Sequence, residues 1–150
     1  MEYLDNQRCF VCGKQNPYGL HLDFAPEGTA GVRTSLIIPE RFQGFAGIAH
    51  GGLLAMILDE CMVNAVWLRG MPAVTTRFEM RLRRPVRLGD RVTFRAQVLR
   101  ASAKGFKVES RAELDDGTLV AEGNALLVRV AGRGEEHRSL APSPPGRGLG

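Results

Sequence analysis

The sequence predicts an α+β fold in which one long central helix is wrapped by an antiparallel sheet of five to six strands. An apolar run at residues 53–68 is long enough for a helix, and it is too apolar on every side to lie at the surface. Segments that alternate apolar and polar residues fill the second half of the chain, and turn signals such as Asp115-Asp116-Gly117 separate them. These hairpin connections imply antiparallel strands, so the helix has to lie across the concave face of the sheet.

The elements follow from local patterns along the chain. Gly70 is placed to end the helix, and Pro72 cannot continue it. Strict alternation after Pro72 places Thr75 on the opposite face of its strand from Phe78 and Met80. The predicted strands are residues 19–24, 32–38, 73–82, 91–99, 106–114 and 119–130.

Length and composition indicate one domain with a short segment at each end. The chain has 150 residues, enough for a single core. We expect an N-terminal segment at residues 1–18, a folded domain at 19–130 and a disordered tail at 131–150, where glycine, proline and serine dominate. The polar, acidic start resembles no signal peptide, and no apolar run is long enough for a membrane span. The expected location is cytoplasmic, with no membrane partner.

The net charge of +4 leaves the class of partner open, because an arginine-rich composition is also a codon effect. Six arginines crowd into a short stretch of the second half, but no nucleic-acid-binding motif accompanies them. We therefore expect no nucleic-acid partner and favour a phosphorylated small molecule. The six are Arg77, Arg81, Arg83, Arg84, Arg87 and Arg91.

Three cysteines fit a reducing compartment better than a disulfide framework. Cys9 and Cys12 form half of a zinc site or a redox pair, and a zinc site needs two more ligands. The histidines and cysteine available for this are His21, His50, His137 and Cys61. We expect instead a packed turn with two free thiols, and no metal or cofactor.

The start and the middle of the predicted helix carry the groups with chemical potential. His50 can cap the first turn, while Gly51 and Gly52 present backbone N–H groups at the positive end of the helix dipole. Asp59 and Glu60 lie in the apolar middle, where an unpaired carboxylate is costly. Gly51 and Asp59 are about 12 Å apart along one helix, so one small reacting group can contact both only across a subunit interface. This spacing predicts a homodimer.

Three motifs in this order resemble the hotdog-fold thioesterases of the phenylacetate-pathway (PaaI) type, a branch that includes one form of 4-hydroxybenzoyl-CoA thioesterase. They are GIAHGGLLAMILDE, a strand ending in RRPV, and LGD, and the resemblance covers residues 19–130. It implies a hotdog fold and an acyl-CoA thioesterase. It also implies that the Gly51 N–H polarises the thioester carbonyl and that Asp59 of the facing subunit acts as base or nucleophile.

The resemblance assigns further positions. The family has a polar residue before the histidine, and the corresponding position here is Gly44; Gln43, one residue earlier, could take its place. The family also has a Ser or Thr in the strand after the helix, and the corresponding residue here is Thr75. Glu60 is the competing acid, and a hydrogen bond to Asn64 would be a sufficient structural reason for it.

The resemblance also implies where an acyl-CoA would bind. Arg83, Arg84 and Arg87 are candidates for the phosphates of coenzyme A, although some of the arginines have to pair with Glu79, Asp90 or Glu109. Phe42, Phe45 and Met62 are candidates for an acyl pocket.

The expected assembly is a homodimer or a dimer of dimers. The main alternative is a non-catalytic acyl-CoA-binding protein with the same fold. A hydratase or dehydratase is a weaker alternative, because His50 does not match the usual pattern of those enzymes. A zinc or thiol-redox role for the cysteine pair is the least favoured alternative.

Overall fold

The computed structural model describes residues 1–133, which form one long helix and eight strands. The helix α1 is Gly51–Trp67. A 3-10 turn at Glu40–Phe42 precedes it. The strands are β1 Tyr3–Leu4, β2 Ala25–Glu27, β3 Gly31–Ile37, β4 Ala73–Leu82, β5 Arg91–Ala101, β6 Gly105–Leu114, β7 Leu119–Arg129 and β8 Gly132–Arg133.

Six of the strands form one antiparallel sheet, in the order β2-β3-β5-β6-β7-β4. The helix packs against β3, β4, β5, β6 and β7, so the sheet curves around it. The predicted α+β hotdog architecture is confirmed. Gly89 and Gly117 have φ values of 86° at the two tight turns expected from the sequence, a left-handed conformation that glycine adopts without strain.

The helix forms the centre of the core. Leu53, Ile57, Leu58 and Met62 are at most 4% exposed, because apolar positions occur on every side and the sheet covers them. At its end, Gly70 has a φ of 74°, which stops the helix as the sequence predicts.

The helix begins with a side-chain cap. His50 has extended backbone angles, and its Nδ1 accepts a hydrogen bond of 2.8 Å from the Gly52 N–H. The first four N–H groups of a helix lack partners inside it, so the ring satisfies one of them. The predicted capping role of His50 is confirmed.

The strand predicted at residues 19–24 is wrong, because the backbone there bonds to the N-terminal segment instead of to the sheet. The N–H of Leu20 donates to the carbonyl of Phe10 at 2.8 Å, and the N–H of Leu22 donates to that of Val11 at 2.9 Å. His21 between them has a φ of 54°, which is incompatible with an extended strand. Strand pairing begins only at Ala25.

Strand β4 contains a bulge that changes which side chains face the helix. Thr75 pairs with Leu127 and Arg77 with Leu126, so Thr76 is an extra residue in the ladder. As a result Thr75 and Phe78 both lie on the helix side, whereas strict alternation would separate them. The sequence-based assignment of Thr75 to the face opposite Phe78 and Met80 is therefore wrong.

The ends of the described chain meet. Strand β1 pairs in parallel with β8, and the Tyr3 N–H donates to the Ala131 carbonyl at 3.0 Å. Most of the predicted tail, including His137, lies outside the described residues, and the division into segments at residues 18 and 130 stays a prediction. Within residues 1–133, no helix is both long and apolar enough to cross a membrane.

We expect His50→Ala to lower the free energy of unfolding by about 1 kcal/mol, because the Gly52 N–H loses its acceptor. Asparagine is a favoured N-cap residue, so His50→Asn should retain most of that stability. Urea unfolding of both variants and the wild type measures the difference. An equal loss in both variants would show that the cap is not what the ring contributes.

Candidate active site

The N-terminus of α1 presents one free backbone donor. His50 accepts from the Gly52 N–H, whereas the Gly51 N–H donates to no acceptor within residues 1–133. Gly51 has no side chain to cover this group, and a Cβ there would come within 2.8 Å of the end of the Leu82 side chain. A free N–H at the positive end of a helix suits an oxygen that gains negative charge.

The loop before the helix holds this end in place. The N–H of His50 donates to the Phe42 carbonyl at 2.9 Å, and the N–H of Ala49 donates to the Val86 carbonyl at 2.8 Å. Gln43 Oε1 accepts from the N–H of Gly47 at 2.9 Å. The Gln43 side chain therefore closes the loop on itself, which makes it a structural residue of the loop in this chain.

Asp59 lies in the middle of the helix with Thr75 beside it. Thr75 Oγ1 donates a hydrogen bond of 2.7 Å to Asp59 Oδ1, and both side chains are half-buried. The bulge in β4 brings the hydroxyl to this position. The structure thus joins two of the predicted site residues directly.

The pKa of Asp59 is raised above its ordinary value. The main cause is desolvation by burial, and the negative charge of Glu60 adds to it. The hydrogen bond from Thr75 acts in the opposite direction, because it stabilises the charged form. A carboxylate with a raised pKa is a better proton acceptor than an ordinary aspartate.

The two halves of the predicted site do not meet within one chain. Gly51 and Asp59 belong to the same helix and stand about 12 Å apart along its axis. Close to Gly51, Leu82 is 56% exposed, and Phe45 in the preceding loop is 87% exposed. Of the other two predicted pocket residues, Met62 is fully buried in the core and Phe42 is partly buried against it.

Glu60 points to a different environment from Asp59. Its Oε1 accepts hydrogen bonds from Asn64 Nδ2 at 3.1 Å and from Cys12 Sγ at 2.9 Å, and Cys9 Sγ lies 3.6 Å away. The predicted Glu60–Asn64 hydrogen bond is confirmed. Its contact with both cysteines is not expected from the sequence, because Glu60 lies 48 residues after Cys12 and no spacing pattern links them.

The thiols of the pair have different acidities. Hydrogen bonding from Cys12 lowers the pKa of Cys9 to about 7. The hydrogen bond to Cys9 and desolvation raise the pKa of Cys12. Within residues 1–133, no disulfide joins any two of Cys9, Cys12 and Cys61.

The arginines divide into paired and unpaired groups. Arg77 forms an ion pair of 2.6 Å with Glu79, one of the predicted partners. Arg83 forms one of 2.5 Å with Glu122, which the sequence does not predict. Arg87 contacts Asp90 only through its backbone N–H, at 3.0 Å. Within the described part of the chain, the exposed guanidinium groups of Arg84 and Arg87 form no ion pair.

A broad concavity on the strands lies apart from these groups. Most of its polar lining comes from outward-facing side chains of neighbouring strands, whose opposite charges compensate one another across the sheet. It contains neither Gly51 nor Asp59 and is not the candidate site. Its charged lining residues are Glu27, Glu79, Arg81, Arg95, Lys107, Glu109, Arg111 and Glu122.

Solved structures share this fold. The PaaI protein of the phenylacetic acid degradation operon of E. coli is 20% identical, with a TM-score of 0.72 over 77% of this chain and 84% of that chain. The TT0310 protein of Thermus thermophilus is 26% identical, with a TM-score of 0.66 over 73% of this chain and 92% of that chain. A hypothetical thioesterase of Streptococcus pneumoniae, solved with coenzyme A, is 16% identical, with a TM-score of 0.70 over 75% and 88%.

A comparison with curated protein sequences gives no significant match. The sequence pattern of the thioesterase superfamily, in contrast, matches residues 46–121. These residues are half of the chain, and they contain the start of the helix, Asp59 and Thr75. The chain therefore belongs to the thioesterase superfamily, and it shares its fold with a PaaI protein.

Proposed function

We propose that this protein hydrolyses acyl-CoA thioesters at sites shared between two subunits. The Gly51 N–H of one subunit would bind the thioester carbonyl, and Asp59 of the other would drive the attack on it. The observation that carries this proposal is the Asp59–Thr75 pair, a half-buried carboxylate held at 2.7 Å by a hydroxyl. The membership of the chain in the thioesterase superfamily supports thioester hydrolysis as the class of reaction.

The electrophilic half of the reaction needs a donor for the carbonyl oxygen. When the carbonyl carbon is attacked, its oxygen gains negative charge, and a fixed N–H dipole stabilises it without reorganising. Since His50 takes the Gly52 N–H, Gly51 is the donor that stays available at this helix end. Loss of one such donor typically costs about 2.7–4 kcal/mol of transition-state stabilisation.

The nucleophilic half needs a base. In the proposed step, Asp59 accepts a proton from a water molecule while the water oxygen bonds to the carbonyl carbon, and the carbon–sulfur bond then breaks to release the thiolate of CoA. The Thr75 hydroxyl holds the carboxylate at Oδ1, which leaves Oδ2 to face the water. Direct attack by Asp59 would give a mixed anhydride that water then hydrolyses, and the same two groups serve that route.

The distance along the helix requires a second subunit. A reacting carbonyl cannot lie beside both Gly51 and Asp59 of one chain, because about 12 Å separates them. A two-fold axis would bring Gly51 of each copy to Asp59 of the other and create two equivalent sites. The exposed Leu82 beside Gly51 and the exposed Phe45 in the preceding loop support this, because such an assembly would cover them.

The substrate class rests on charge and on the structural neighbours. One neighbour was solved with coenzyme A, and another, from Streptococcus mutans, was solved bound to acetyl CoA. In this chain Arg84 and Arg87 are exposed and unpaired within residues 1–133, whereas Arg83 is engaged by Glu122. We propose Arg84 and Arg87 as the groups that bind CoA phosphates, and Phe45 as part of the acyl site.

Asp59→Asn should lower the rate of thiol release by about 100-fold or more, because it removes the base with little change in volume. The measurement is thiol release from a panel of short, medium, long and aromatic acyl-CoAs. Glu79→Gln is the matched control, since that carboxylate is exposed on the outer side of the sheet and should leave the rate unchanged. Equal turnover by Asp59→Asn and the wild type would contradict the proposal, and binding of acyl-CoAs without any turnover would favour a binding protein.

Thr75→Val should move the acidic limb of the pH profile of kcat/KM to higher pH. The hydroxyl stabilises the ionised form of Asp59, so its removal raises the pKa of this carboxyl further, and more alkaline conditions are needed to ionise it. Thr75→Ser keeps the hydroxyl and should keep the limb near its wild-type position. A limb that stays in place or moves to lower pH in Thr75→Val would show that this carboxylate is not the titrating base.

A further inference from the structure

A second group of reactive side chains lies outside the proposed active site. Cys9, Cys12 and Glu60 each offer one ligand atom, and these three atoms lie within 4.8 Å of one another. Bond lengths of about 2.0–2.3 Å place the ligand atoms of a tetrahedral zinc roughly 3.5–3.8 Å apart. The separation of 3.6 Å from Cys9 Sγ to Glu60 Oε1 agrees with this. The separation of 2.9 Å from Cys12 Sγ to Glu60 Oε1 is shorter, so the Cys12 side chain would have to rotate away from the carboxylate to admit the ion.

We call the N-terminal turn that carries Cys9 and Cys12, residues 9–13, the cysteine turn. Its backbone is arranged around the sulfur atoms. The N–H of Val11 donates to Cys9 Sγ at 3.4 Å, and the N–H of Gly13 donates to the Cys9 carbonyl at 2.7 Å. A Cβ at position 13 would lie 2.4 Å from the Cys9 nitrogen and 2.5 Å from the Gln7 carbonyl oxygen, so the turn requires glycine. The backbone of the turn therefore fixes the position of the Cys9 sulfur.

Packing fixes the turn against the helix. Val11 is 2% exposed, and its carbonyl accepts the N–H of Leu22. On the helix, Asn64 is 2% exposed and its Nδ2 donates to Glu60 Oε1, which orients the carboxylate towards the thiols. Metal sites regularly contain such a second residue, which orients a metal-binding side chain by a hydrogen bond.

The charge of the cluster also favours a cation. Within residues 1–133, Glu60 forms no ion pair with a lysine or arginine, although its carboxylate is half-buried against two thiols. A divalent ion would supply the missing positive charge. Thiolate ligands select zinc over magnesium or calcium, which prefer oxygen.

We propose that Cys9, Cys12 and Glu60 bind a zinc ion that fastens the N-terminal turn to the middle of the central helix. These three ligands leave one tetrahedral position, which a water molecule would fill. The neighbouring carboxylates of the helix then have separate roles, since Glu60 binds the ion and Asp59 faces Thr75. A thiol-redox pair would not need Glu60, and this difference makes the two interpretations of the cysteines separable.

The test is elemental analysis of the full-length purified protein, combined with competition against a chromophoric zinc chelator. The wild type should carry about one zinc per chain, whereas Cys9→Ala and Cys12→Ala should carry almost none. Glu60→Gln should weaken zinc binding by about tenfold or more. Asp59→Asn is the matched control, because it changes the adjacent carboxylate and should keep the zinc content of the wild type.

The wild-type protein alone provides a second measurement. After removal of zinc, addition of cobalt(II) should give a thiolate-to-cobalt absorption band that saturates at about one equivalent. Absence of both zinc and this band would overturn the proposal, and so would a Cys9–Cys12 disulfide in the purified protein or an unchanged zinc affinity in Glu60→Gln. None of these results depends on whether the protein hydrolyses a thioester.

Discussion

The hydrogen bond from Thr75 to Asp59 connects the buried helix to the strand that follows it, and the candidate site depends on it. The helix brings a carboxylate into a largely apolar layer, and burial raises the pKa of that group. The hydroxyl limits this rise and fixes the direction of one oxygen. Because Thr76 bulges out of the ladder, Thr75 can face the helix together with Phe78 further along the strand. The geometry of the acid is therefore set by an irregularity in the sheet.

The two adjacent carboxylates show how one helix can serve two purposes. Successive residues of a helix point in directions about 100° apart, so Asp59 meets Thr75 on β4 while Glu60 meets the cysteine turn of the N-terminal segment. Each carboxylate has a dedicated hydrogen-bond donor, Thr75 for Asp59 and Asn64 for Glu60. This division explains why an otherwise apolar helix contains two neighbouring acids. It also removes the main reason to regard Glu60 as the base.

Much of the fold could be predicted from the sequence, and the exceptions have physical causes. The helix and the strands β3 to β7 follow from hydrophobic periodicity and from turn glycines such as Gly89 and Gly117. The strand expected at residues 19–24 fails because a left-handed His21 and bonds to the cysteine turn compete with the sheet. A bulge leaves no mark in an alternating pattern, so the face of Thr75 is not readable from the sequence.

Less of the candidate site than of the fold could be predicted from the sequence. The cap of His50 and the free donor at Gly51 follow from the helix-start sequence, since both depend on local spacing. The cluster of Glu60 with Cys9 and Cys12 depends on a contact between distant segments, and counting histidines and cysteines does not reveal a carboxylate beside them. Which arginines remain unpaired is likewise decided by partners on other strands, as the Arg83–Glu122 pair shows.

The most direct test of a shared site is to mix two inactive subunits. Gly51→Pro removes the proposed N–H donor while suiting the first helical position, and His50 already has a ψ of 131°, which a following proline requires. If Gly51 and Asp59 act across the interface, unfolding and refolding an equal mixture of Gly51→Pro and Asp59→Asn subunits restores one complete site in each mixed dimer. Random pairing should return about a quarter of the wild-type thioesterase rate, since half of the dimers are mixed and each has one of two sites. A mixture as inactive as its components would contradict the shared site.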